Sequence, residues 1–132
     1  LMGACGANVW AIERIPELCE LGKKNVENFT KPLSDRVAKW GKIKFYCQDG
    51  TLGLPEVAER IGGFDKILAS AALPLLTSDV DSLPEAWKHQ LKVGGRIIAP
   101  VGGSIFEFVK KEKTTFDVVE HPGFAFVPLI KN

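Results

Sequence analysis

No stretch of the 132 residues approaches the ~20 consecutive apolar positions that a helix needs to cross a bilayer, and the amino terminus lacks the layout of a secretory leader. Membrane partners are therefore not expected, and the expected location is cytoplasmic. One-signed charge is also missing: 17 basic side chains face 16 acidic ones, for a formal net charge of +1. No block of Lys and Arg suggests a surface that tracks phosphates, which excludes nucleic acid as a natural partner. Cysteine is scarce, with Cys5, Cys19 and Cys47 widely spaced and odd in number. They form no C-x-x-C pair and no ligand spacing with His89 or His121, so no metal site is expected and the cysteines are read as buried thiols of a reducing compartment. Internal repeats, low-complexity segments and interdomain linkers are absent too. What remains, 45% hydrophobic and 25% charged, is the composition of one folded domain over residues 1–132.

The chain opens "LMGACGANV", with Leu before Met, so it is expected to be a fragment. "GACG" at Gly3–Gly6 precedes the first strand-like run instead of following it, so it is read as a turn and not as a dinucleotide loop. Val9–Ile12 is a short apolar run suited to a strand covered on both faces. Behind it, Ile15, Leu18, Cys19, Gly22, Val26 and Phe29 recur at helical spacing, with Glu17, Glu20, Lys23, Lys24 and Glu27 on the other face and Pro16 near the first turn. "TKPLSDRVAKWGK" reads as a connector with a helical turn or two, and "IKFYC", Ile43–Cys47, as a second strand.

Leu54–Ile61 follows as a short helix closed by Gly62 and Gly63, and "FDKILAS" as a third strand that runs into small residues. Ser82 with Glu85 three positions on is a capping-box pattern for a helix that runs to a Gly94-Gly95 turn. "RIIAPVG" is then a fourth strand. "SIFEFVKKE", "TTFDVVEH" and "FAFVPLI" are three more strand-like runs without room for helices between them, which pair antiparallel. The alternation predicts an α/β fold with a mainly parallel sheet, helices on both faces and an antiparallel carboxyl-terminal portion.

In open parallel sheets, ligands sit beyond the carboxyl ends of the strands. Three successive strand ends present Glu13, Asp49-Gly50 and Ser70-Ala71-Ala72. A carboxylate such as that of Glu13 can accept both O–H donors of a ribose at once. Asp49 can accept from an exocyclic amine such as adenine's, while Gly50 lets a flat ring approach the backbone. The small, uncharged third end leaves space for a reacting group. Each acid alone also suits a plainer role, Glu13 at a helix start and Asp49 in a turn; their joint placement favours the nucleoside. His89, on the polar side of a helix, and His121, at a Pro-Gly turn, have no acid or nucleophile at motif spacing. Asp79 and Asp81 suit a solvated loop and helix start, and Trp10, Trp40 and Trp87 suit packing.

On "VWAIERIPEL", "QDGTLGLPE", "FDKILASAA", "QLKVGGRIIAPVG" and "FVPLIKN", in that order along the chain, the sequence resembles the protein-L-isoaspartate O-methyltransferases, and "GGRIIAPVG" with "FVPL" is the most particular match. The resemblance implies a Rossmann-like methyltransferase fold that uses S-adenosylmethionine to methylate the free carboxylate of isoaspartyl residues in protein repair. It implies that Glu13, with Arg14 beside it, binds the cofactor at its ribose, that Asp49 and Gly50 contact the adenine end, and that Ser70, Ala71 and Ala72 border the meeting point of methyl donor and peptide substrate. No catalytic acid or base is expected. It also implies that the glycine-rich cofactor loop, the first strand and the preceding helices lie upstream of Leu1. The gap would sit between the strand ending at Glu13 and the one starting near Phe64, to be filled by a companion segment or by self-association. The link "LPLLTSDVDSLPEAW" is longer than is usual in the family, with Leu73 where a small residue or Pro is common. Two other readings compete: a non-catalytic methyltransferase-like module that binds a nucleoside or a protein, and a nucleotide-dependent oxidoreductase, which the lack of a dinucleotide loop disfavours.

Overall fold

The computed structural model describes residues 1–30, 40–73 and 80–127. The chain divides into two compact units, Leu1–Gly50 and Thr51–Asn132. The expected connector "TKPLSDRVAKWGK" falls largely on residues 31–39, Asp79 on 74–79 and the end of "FVPLIKN" on 128–132, all outside the described residues.

The first unit is a strand, a helix and a strand. A turn over its first residues, in which the Cys5 amide donates to the Leu1 and Met2 carbonyls, bears out the reading of "GACG". β1 (Val9–Glu13) and β2 (Ile43–Cys47) pair in parallel, in register from Val9 opposite Ile43 to Glu13 opposite Cys47. Between them runs α1 (Pro16–Thr30), with Pro16 and Glu17 in the first turn where a fixed φ and a negative charge suit the helix start. Gly22 lets α1 approach β2: a Cβ there would lie 2.7 Å from the Phe45 ring. Gly41 is held more tightly still, because a Cβ would fall 1.7 Å from the Ala7 carbonyl oxygen. Hydrogen bonds from Gly41 N to Gly3 O and from Val9 N to Lys42 O stitch the same crossing.

The cysteines correct the sequence reading. Cys5 is exposed, and Cys19 and Cys47 are joined as a disulfide across 28 residues. The parallel crossover is the reason: it brings Cys19, the buried residue of α1, over the end of β2, a proximity that linear spacing hides.

The second unit contains α2 (Pro55–Ile61), β3 (Phe64–Leu68), α3 (Glu85–Gln90), β4 (Leu91–Val101), β5 (Ser104–Lys110) and β6 (Phe116–Pro122). Gly62, in the left-handed region at φ +73°, closes α2 as expected and donates to the Ala58 and Glu59 carbonyls. The sheet order is β3-β4-β5-β6, with β3 and β4 parallel and the other pairs antiparallel. Inward positions alternate along β5, where Phe106 and Phe108 join Leu83, Trp87, Leu91 and Ile97 in one core. Each such side chain contributes about 1.5–3 kcal/mol through burial.

Three expectations change here. Ser82 does not cap α3: it belongs to a 3-10 turn over Val80–Ser82, and Pro84 precedes the helix without a side-chain cap, because a residue before proline is pushed away from helical geometry. The helix stops at Gln90, and Gly94-Gly95 lie inside β4 instead of ending a helix. There the register skips from Phe64 opposite Leu91 to Lys66 opposite Arg96, and Gly94 takes φ +82° to absorb the extra residues. The third tail run forms no strand over its described residues; instead the Phe124 amide bonds back to Gly103 O.

Two buried polar side chains brace this unit. Gln90 accepts from the Leu54 amide at 2.7 Å and donates to the Leu52 carbonyl at 3.3 Å. Lys110 is 5% exposed, and its ammonium donates to the Lys88 and Leu91 carbonyls at 2.6 and 2.8 Å, closing the end of α3. Burial holds the Lys110 pKa below the ordinary lysine value.

Candidate functional site

Because β1 and β2 are parallel, their carboxyl ends open onto the same side of the first unit. Glu13 is the last residue of β1 and stands opposite Cys47, the last of β2, in a ladder whose strands are about 5 Å apart. The Gln48 amide extends the pairing to the Glu13 carbonyl at 3.1 Å, and Asp49 and Gly50 follow directly. The structure therefore brings both predicted acids to one strand-end edge. One oxygen of the Glu13 carboxylate accepts the Ile15 amide at 2.8 Å, which fixes its orientation in the bend before α1 and leaves further acceptor capacity on both oxygens. Arg14 is half-buried in that bend.

Gly50 begins a 3-10 turn over Gly50–Leu52. Its φ lies outside the left-handed region, and an added Cβ would meet only Ile12 Cγ2, at 3.9 Å. Neither conformation nor crowding within the chain demands glycine here. The space beside its backbone suits a planar group laid against it, and the carboxylates nearby suit that group's N–H and O–H donors. Such carboxylate acceptors can receive the hydroxyl and amine hydrogens of a nucleoside.

The third predicted cluster lies in the second unit, just past β3. Ser70 is exposed, Ala71 half-buried and Ala72 buried. The Ala69 amide bonds to Ile98 O, that of Ala72 to Val127 O and that of Leu73 to Pro100 O, so the small residues lie on a backbone held between the end of β4 and the carboxyl-terminal segment. Gln90 escaped the sequence reading because nothing in a helical pattern marks an amide that folds back onto a loop. The one available signal was Gly53, whose φ of +60° and lack of a Cβ make room for that amide.

A family profile described as protein-L-isoaspartate(D-aspartate) O-methyltransferase matches residues 2–132. The chain belongs to this family. Among curated members, the protein-L-isoaspartate O-methyltransferase of Thermococcus onnurineus is 37% identical over 128 residues, covering 93% of this chain and 50% of its own. That of Methanothrix thermoacetophila is 34% identical over 131 residues, covering 98% and 52%. The chain spans about half the length of these curated relatives. A crystal structure of a candidate protein-L-isoaspartate O-methyltransferase from Plasmodium falciparum, in complex with S-adenosyl-L-homocysteine, superposes with a TM-score of 0.70 at 22% identity. It covers 95% of this chain and 53% of that one, and establishes the fold as the Rossmann-like α/β class of these methyltransferases. Among the described residues no helix is long and apolar enough to cross a membrane.

Proposed function

We propose that the chain carries the adenosine-binding half of an isoaspartyl carboxyl methyltransferase, and that its two units belong to one methyltransferase domain. The observation that carries the reading is the pairing of Glu13 opposite Cys47, which sets one carboxylate at the end of β1 and a second, Asp49, just past the end of its parallel neighbour. In this reading Glu13 accepts both ribose hydroxyls, its free lone pairs being available while Ile15 holds the carboxylate in place. Asp49 accepts from the adenine amine, Gly50 keeps the backbone bare beneath the ring, and Arg14 borders the ribose. The family resemblance adds Ser70, Ala71 and Ala72 as residues that contact the isoaspartyl peptide.

S-adenosylmethionine, when bound, supplies an electrophilic methyl on a sulfonium that is its own leaving group. The substrate carboxylate is already ionised at neutral pH, so no side chain of this chain has to remove a proton. What the protein supplies is alignment and exclusion of water. Family membership over residues 2–132 and the methyltransferase fold support the activity, the cofactor and isoaspartyl-containing proteins as substrates. The cytoplasmic setting is carried over from the sequence reading, and the balanced charge supports partners other than nucleic acid. The open edges of β1 and β3, which pair with no strand among the described residues, support a companion segment or self-association.

The test is methyl transfer from S-adenosylmethionine to an isoaspartyl peptide beside its aspartyl twin, with S-adenosylhomocysteine binding measured in parallel. Transfer to the isoaspartyl peptide alone supports the proposal. Nucleoside binding without transfer favours the non-catalytic module, and absence of both refutes the adenosine site.

A further inference from the structure

One covalent bond at the strand-end edge takes no part in the chemistry above. Cys47 is the residue opposite Glu13, and Cys19 lies in the first turn of α1, its amide bonded to the Ile15 carbonyl at 2.9 Å. The Ile15 amide in turn holds the Glu13 carboxylate. The Cys19–Cys47 bond therefore closes a ring that runs from Glu13 through the bend to α1, across to the end of β2, and back through the ladder to Glu13. Little else fixes the start of α1. Cys19 is its only buried residue among those described, while Ile15, Leu18 and Leu21 are each about half exposed.

The two residues are unequal: Cys19 is fully enclosed, whereas Cys47 is exposed. We propose that the Cys19–Cys47 disulfide is a thiol-responsive positioning cross-link that holds the Glu13 carboxylate in its ribose-binding orientation. The proposal rests on the reading of Glu13 and Asp49 as adenosine ligands. A small-molecule thiolate attacks the sulfur of the exposed residue Cys47 and forms a mixed disulfide there; the electron pair of the broken S–S bond leaves on Cys19, which takes a proton. A second thiol displaces the adduct, so that two external thiols become one disulfide and Cys19 and Cys47 become thiols. The enclosed Cys19 thiol then remains as a small apolar side chain, no longer tethered to β2. In a reducing compartment, disulfides that do form are characteristically redox-sensing, which is the setting proposed for this chain.

The test uses the full chain. Thiol titration under denaturing conditions should find one free thiol, Cys5, before treatment with a dithiol and three afterwards. Calorimetry with S-adenosylhomocysteine should show affinity falling by about fivefold or more on reduction, within the usual range of coupling between sites. The Cys19→Ser/Cys47→Ser variant should match the reduced protein and ignore the dithiol, whereas Cys5→Ser should respond like wild type. General loosening would weaken adenosine and 2′-deoxyadenosine alike; loss of the Glu13 grip should narrow the preference for adenosine. Three free thiols before reduction, equal affinity in both redox states, or an unchanged ribose preference would each overturn the proposal. Failure of both redox states to bind would refute the adenosine site itself, and the cross-link's role with it.

Discussion

Replacing Gln90 by Leu keeps nearly the same volume at the end of α3 and deletes both hydrogen bonds of its amide. Leu54 is 6% exposed, so its N–H loses the Gln90 oxygen in a place water does not reach. That orphaned donor costs about 1–3 kcal/mol. Leu52 is 63% exposed, so its carbonyl regains water and only the net worth of one hydrogen bond is lost, about 0.5–1.5 kcal/mol. The expected destabilisation is roughly 1.5–4.5 kcal/mol. Urea unfolding followed by circular dichroism reads it as a lower midpoint with an unchanged slope. Gln90→Glu keeps the acceptor for Leu54 but, when ionised, buries a charge that faces the Leu52 carbonyl, so its deficit at neutral pH should be at least as large and should shrink at acidic pH, where a protonated carboxyl donates again. A Gln90→Leu protein within about 0.5 kcal/mol of wild type would refute the reasoning, because that is the scatter of a substitution that touches nothing important.

Gly41→Ala should cost about 3 kcal/mol or more, since its Cβ meets the Ala7 backbone and not a movable side chain; Gly62→Ala, with open space but φ +73°, should cost only about 1 kcal/mol in the same denaturation experiment. Lys110→Met should remove a pH dependence. With the folded pKa of Lys110 held by burial below the ordinary lysine value of 10.5, the unfolded chain binds more protons in the interval just under that value, so wild-type stability rises with pH there. Unfolding at a series of pH values approaching the ordinary lysine pKa should show that rise in wild type and a flatter profile in the variant; identical slopes would assign the bond to geometry without linkage.

Elements with a clean period were legible in the sequence. The stripe from Cys19 to Val26, the "IKFYC" run and the Gly62 stop each state their geometry locally, and α1, β2 and α2 form where those patterns lie. The two acids were legible as strand-end residues for the same reason. What escaped depends on contacts between distant segments. The extra residues of β4 around Gly94-Gly95 look like a turn until β3 lies beside them, and the chemistry of a glycine pair is the same in both settings. Ser82 and Glu85 have the right spacing for a cap, yet Pro84 sets the backbone differently. Cys19 and Cys47 are 28 residues apart, and only the crossover from β1 to β2 makes them neighbours. Gln90 sits at a polar position of an ordinary helical pattern and Lys110 at the end of the inward phase of β5; the burial of each is completed by the loop or helix end that its polar group bonds.

In the proposed function the Glu13 carboxylate grips a ribose at the open end of a parallel strand pair. Titration of wild type and Glu13→Ala with S-adenosylhomocysteine in a calorimeter, both proteins shown to be folded, tests it most directly. Losing charge-assisted hydrogen bonds to the ribose hydroxyls, at about 1.5–3 kcal/mol each, should weaken binding by about tenfold or more. A Glu13→Ala protein that binds as tightly as wild type would contradict it.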